Sequence, residues 1–216
     1  MEWINQRIGD SHIKQYWFVI SELTGRELKR KYSRSKLGII WSVLNPLLHM
    51  VVLSLIFSTM FKRSIENFPV YYLCGNVLWT LFTTATNTAM TVLVDNKQML
   101  IKVKIPMQVF VVSRVYTALV NFGYSLIAFV PILLFFKVPL KLSVLFIPVI
   151  VLFQLMFTLG FSYILSVGYV LFGDVKHLYS IVLTLWMYLS ALFYPTESLP
   201  VAMKTVVANN PIYTYI

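Results

Sequence analysis

The chain has 216 residues, of which 58% are hydrophobic and 12% charged, with a mean hydropathy of +0.75 and a net charge of +10. Those proportions exclude an ordinary water-soluble domain, which carries roughly twice as many charges. The cations cluster at the ends of apolar runs and not on one polar face, so the positive charge does not describe a nucleic-acid-binding surface.

Residues 1–36 form a charged amino-terminal segment. Tyr16, Val19, Ile20 and Leu23 recur at i, i+3, i+4 and i+7, with Lys14, Glu22, Arg26, Lys29 and Arg30 around them. This spacing predicts an amphipathic helix lying in a membrane interface, with Gly25 weakening its middle enough to allow two pieces. The segment has no short apolar core followed by a small-residue cleavage site, so it is expected to stay attached. It ends abruptly: five cations fall between Lys29 and Lys36, and the next charge is Lys62.

Cutting the remainder at its charges leaves five long apolar stretches: 37–61, 67–94, 115–136, 142–173 and 177–196. A helix rising about 1.5 Å per residue crosses about 30 Å of hydrocarbon with roughly 20 residues while satisfying its own backbone. The expected fold is therefore an all-α integral membrane protein, its transmembrane domain covering 37–216, with spans near 37–61, 70–94, 115–136, 142–171 and 178–195. The fourth stretch is longer than a perpendicular helix needs, which predicts tilt or a bend near Pro148 or Gly160. With the amino terminus inside, 13 of the 18 basic residues lie on cytoplasmic segments and 5 outside, the bias expected of a cytoplasmic Met1–Lys36.

Within the spans, Thr80, Thr84, Asn87 and Thr91 share one helical face, and the Asn87 amide is costly to leave against lipid. That face is expected to turn inward, either joining helices or lining an aqueous path. Arg114 borders the third span and is expected to snorkel to the headgroups, and His49 to be packed and hydrogen-bonded. Aromatic residues make up 16% of the chain, and rings such as Tyr71, Trp79, Tyr116, Trp186 and Tyr194 are expected to act largely as interface belts.

Chemistry is sparse. Of eight acidic residues, Glu2, Asp10, Glu22 and Glu27 precede the first span and the others lie outside the expected spans; the three histidines form no ligand motif. Gly168 and Gly173 have P-loop spacing, but Asp174 and Val175 replace the lysine and hydroxyl residue that such a loop needs. Cys74 is the sole cysteine, so no intrachain disulfide forms. No catalytic residue and no metal site is expected, and uphill movement of a substrate would need nucleotide chemistry from another subunit.

Four stretches carry a family resemblance: KYSRSKLGIIWSVLNPLL at Lys31–Leu48, NKQMLIKVKIP at Asn96–Pro106, GDVKHLYSIVLTLWMYLSALFYP at Gly173–Pro195, and the pair Leu199–Pro200 with Asn209–Pro211. In that order they resemble the membrane subunits of ATP-binding-cassette exporters for lipid-linked polysaccharides, of the O-antigen, teichoic-acid and capsule types. Gly173 departs from the arginine, and Met107 from the basic or polar residue, that many relatives carry there. The resemblance implies a bacterial cytoplasmic-membrane permease that pairs with a second copy and docks two ATPase subunits, which bind ATP and Mg. It implies that Asn96–Pro106 is the coupling segment, with Leu100, Ile101, Lys102 and Lys104 contacting the ATPase. It also implies an outer re-entrant or gate region over 196–210, with Tyr194, Pro195 and Pro200 at the gate, and a sixth span that truncation removes. An exporter of lipid, drug or peptide is the neighbouring alternative. An integral membrane transferase acting on lipid-linked sugars, or a scaffold, is the alternative of another class.

Overall fold

The computed structural model describes residues 2–33, 35–38, 40–60, 67–102, 105–137, 142–194, 196 and 199–215. Regular structure among them is entirely helical: α1 (Glu2–Tyr32), α2 (Ile40–Met60), α3 (Phe68–Asp95), α4 (Lys97–Lys102), α5 (Met107–Phe135), α6 (Ile147–Leu171), α7 (Val175–Leu189), α8 (Val201–Ala208) and α9 (Pro211–Tyr215). Three stretches, Phe68–Asp95, Met107–Phe135 and Val144–Leu171, are long and apolar enough to cross a membrane, and Ile40–Ile56 is a shorter apolar helix. The chain is a multi-pass membrane protein.

The centre is α3, which packs on α2, α5, α6 and α7. Its start is defined locally: Asn67 adopts a left-handed φ of 55°, which asparagine tolerates, and a proline follows at the head of the helix. Leu73, Leu81, Phe82, Ala85 and Ala89 are buried along it. Lipid tails are as apolar as these side chains, so what holds the bundle is close fit, and the small Ala85 and Ala89 allow it. Phe82 sits in an aromatic cluster with Trp79, Phe157, Phe161 and Trp186, its ring 5.4 Å from Trp186 and 5.8 Å from Phe157. Trp79 and Trp186 thus belong to a core cluster and not to an interface belt.

Several elements differ from the sequence expectation. Helix α1 runs unbroken through Gly25, and its stripe faces protein: Ile20 and Leu23 are buried, with Leu23 against Ala89, Val92, Phe110 and Val111. Ile13, Trp17 and Phe18 form a second, exposed apolar strip. The surplus length of the fourth stretch is taken up by a 3-10 turn at Leu142–Phe146, leaving α6 continuous past Gly160. Helix α5 begins at Met107, eight residues before the charge-free stretch, so Arg114 lies two turns inside a helix and not at its end.

The fifth stretch is helical only from Val175 to Leu189, 15 residues and about 22 Å, short of a full crossing. It stops because the chain turns: Ala191 has φ 50°, and the Asn210 side chain donates to the Leu189 carbonyl (3.0 Å) and the Ser190 hydroxyl (3.1 Å). The Asn210 side-chain Oδ1 accepts from Trp186 Nε1 (2.7 Å) and the Ile212 amide (3.0 Å). One side chain thereby ties the returning segment to the end of α7, and Ile212 re-enters the core fully buried.

Candidate functional site

Four elements converge where α3 ends and α4 begins. Asn96 closes α3, its amide nitrogen and Nδ2 both donating to the Val92 carbonyl (3.1 and 2.8 Å), and its own carbonyl accepts the Met99 and Leu100 amides that open α4. Arg26 of α1 donates to Asn96 Oδ1 at 2.9 Å. A side-chain bond therefore joins α1 to the junction between α3 and α4. Met99 and Leu100 pack on the cluster around Val92 and Phe110, whereas Ile101 is 75% exposed and Lys102 is exposed beside it. Of the four residues assigned to coupling, Leu100 faces inward, Ile101 and Lys102 face outward, and Lys104 lies outside the described residues.

Next to Arg26 on α1, Glu27 accepts Arg114 Nη1 at 2.6 Å, with side chains only 12% and 8% exposed. Arg30 and Arg26 approach the same carboxylate at 3.5 and 3.8 Å, so three guanidinium groups share one anion. Arg114 is thus a buried tie between α5 and α1, in place of the snorkelling residue expected. Its position explains the difference: the buried side chain lies on the face of α5 turned to α1 and meets an acid there. The same seam continues through Thr117 to Thr24 (3.1 Å), Thr24 to the Ser113 carbonyl (3.3 Å), and Lys31 and Tyr32 to Asn121 Oδ1 (3.2 and 3.1 Å).

Above this seam opens a pocket of about 610 Å³. Helix α1 contributes Glu27, Arg30 and Lys31; α3 contributes Thr84, Asn87, Thr91 and Asp95; α5 contributes Arg114 and Asn121; and α7 contributes Lys176 from its first turn. Three members of the polar face read from the sequence meet here, whereas Thr80 is exposed away from it. Thr91 donates to Asp95 at 2.8 Å, but the Asn87 amide has no hydrogen-bond partner among the described residues.

At the other end of the bundle, the Tyr194 hydroxyl donates to the Tyr188 carbonyl, while the Tyr71 hydroxyl donates to the carbonyls of Ala191 (2.6 Å) and Tyr194 (3.3 Å). Pro200 is the cap of α8, and Pro195 lies outside the described residues. His49 pairs its Nδ1–H with the Asn45 carbonyl at 2.9 Å but is exposed, not packed. No cluster of metal-binding side chains occurs among the described residues.

Sequence reasoning missed two features. Glu27 was grouped with the amino-terminal charges, and nothing in its spacing indicates a partner 87 positions later. The second is a polar stripe on α6, Gln154, Thr158, Ser162 and Ser166, buried to 1% exposure or less. Its i, i+4, i+8, i+12 spacing is visible in the sequence and would have found it. Gln154 Nε2 donates to the Leu78 carbonyl at 2.7 Å, joining α6 to α3.

Residues 19–216 match the model of the ABC-2 type transporter family. The chain is 38% identical over 205 residues to the O-antigen export system permease protein RfbA of Myxococcus xanthus, covering 92% of this chain and 77% of that protein. It is 28% identical over 195 residues to a protein of the same name from Klebsiella pneumoniae, covering 90% and 75%.

Proposed function

The chain belongs to the ABC-2 type transporter family, and from that premise we propose that it is the permease subunit of an ATP-driven exporter moving a lipid-linked polysaccharide across a bacterial cytoplasmic membrane. The cargo reading is supported by relatives named for O-antigen export. In this reading two copies form the path, two separate ATPase subunits bind ATP and Mg on the cytoplasmic side, and the amino terminus lies on that side. The permease contributes no catalytic group of its own.

The observation that carries the coupling is the Arg26 to Asn96 bond. A force applied to the exposed face of α4, at Ile101 and Lys102, acts on Asn96 and so on α1 and α3 together. The Glu27 and Arg114 pair passes it to α5. Helices that border the pocket therefore respond as a group when α4 is displaced.

The test is reconstitution of the full chain with its candidate ATPase and labelled lipid-linked glycan. Movement is expected only with ATP, is lost with a hydrolysis-deficient ATPase, and falls with Lys102→Ala while the complex still assembles. Glycan movement that persists with an inactive ATPase refutes the proposal. An assembled, hydrolysing complex that leaves the glycan in place transfers the reading to a lipid, drug or peptide cargo.

A further inference from the structure

The pocket between α1, α3 and α5 holds an imbalance of charge that its own acidic residues do not neutralise. Its cations are Arg30, Lys31, Arg114 and Lys176; its anions are Glu27 and Asp95. Glu27 is engaged by guanidinium groups, leaving Lys31 in contact with the neutral Asn121 and Lys176 with no acid partner among the described residues. The surplus of two positive charges comes from separate helices that face one open space. A surface kept positive only to set orientation in the membrane would gain nothing from convergence around a cavity.

We propose that this pocket binds the phosphate or diphosphate group of an anionic ligand. A phosphate carries about −1.5 to −2 charges near neutral pH and several strong acceptor oxygens, which matches the surplus in both sign and size. A carboxylate supplies one charge and leaves a cation unpaired. The uncharged end of the pocket, with the free Asn87 amide and Thr84, gives polar lining to whatever the phosphate carries. At about 610 Å³ the space exceeds what the anion alone requires. This deepens the export reading by assigning a place to a diphosphate that links lipid to glycan, whose two ionised phosphates carry one charge each, and it rests on that reading only for the source of the ligand.

Binding is measured on the purified full chain in nanodiscs of neutral phosphatidylcholine, without ATPase, titrating inorganic pyrophosphate and farnesyl diphosphate separately. Saturable binding of at least one probe is expected. Lys176→Gln should weaken it about five-fold, and Asp95→Asn should tighten it by about the same factor, the order set by one unit charge about 4 Å away in water. A gain in affinity from Asp95→Asn cannot arise from misfolding. Lys137→Gln removes the same charge just beyond the far end of α5 and should leave affinity unchanged. Farnesyl diphosphate binding more tightly than pyrophosphate assigns the site to a lipid headgroup, and equal affinities assign it to a soluble phosphate. The proposal is overturned if neither probe saturates, if Lys176→Gln and Asp95→Asn stay within two-fold of the parent, or if Lys137→Gln weakens binding equally. Because no transport step enters the measurement, its failure leaves the export reading standing. Failure of glycan export in turn leaves a measured phosphate site intact.

Discussion

Replacing Glu27 by glutamine removes the carboxylate around which α1, α5 and three arginines are organised. The contributions are unequal. Arg30 and Arg26 have side chains 73% and 47% exposed and stand 3.5 and 3.8 Å away, so each pairing is worth at most about 1 kcal/mol and both arginines regain water on loss of the charge. Arg114 is different: its side chain is 8% exposed, lies 2.6 Å from the acid and makes no other ion pair among the described residues. Stranding a buried cation in this way costs about 3–5 kcal/mol, which outweighs the exposed pairs. The expected loss for Glu27→Gln is thus about 3 kcal/mol or more, a large part of a typical folding stability of about 5–15 kcal/mol. A Glu27→Leu, Arg114→Met double replacement should recover most of the loss, since it leaves neither charge without a partner. Reversible unfolding in mixed micelles of the parent, Glu27→Leu, Arg114→Met and the double variant gives the coupling energy directly, with Glu27→Gln measured beside them. If Glu27→Gln falls within about 1 kcal/mol of the parent, or the double variant is as unstable as the sum of the singles, the two charges do not act as a buried pair.

Asn210→Ala removes bonds to Trp186, Leu189, Ser190 and Ile212 and should cost about 2–4 kcal/mol, with a shift in Trp186 emission as its indole loses its acceptor; an unchanged melting midpoint and spectrum would contradict the role assigned to Asn210. Thr158→Val deletes a buried hydroxyl that has no hydrogen-bond partner among the described residues, so stability in the same unfolding assay should stay within about 1 kcal/mol of the parent or rise. A loss above about 2 kcal/mol would reveal a partner for that hydroxyl. Ile101→Asp replaces a 75% exposed apolar tip and should leave the permease fold intact while abolishing co-purification of the ATPase; retained co-purification would move the docking surface away from α4.

Charge gaps made the helices legible because the cost of a charge in hydrocarbon acts on every residue of a span, leaving a long uniform signal. The same signal misplaced the start of α5: Arg114 ended a gap, yet its charge is matched by Glu27 and the helix continues through it to Met107. It also overstated α7, whose composition continues apolar beyond Leu189 while the backbone turns on a bond from Asn210, 21 positions away. The face of Thr84, Asn87 and Thr91 followed from helical periodicity, a local property. That it meets Arg30, Lys31 and Lys176 depends on how helices are brought together, and no spacing within one segment encodes that.

Helix α6 meets α3 through the Phe157 and Phe161 rings, and its buried polar stripe adds almost no directional bonds between the two helices. Among the described residues, Gln154 to Leu78 is the hydrogen bond that joins them, while the Thr158 and Ser162 hydroxyls are buried without partners. The axial register of the two helices is therefore pinned at one point, and elsewhere set by shape alone. A sliding step along this contact would break that one described bond but would also drag Phe82 past the Phe157 and Phe161 rings, so the joint resists sliding by interlocked rings more than by hydrogen bonds.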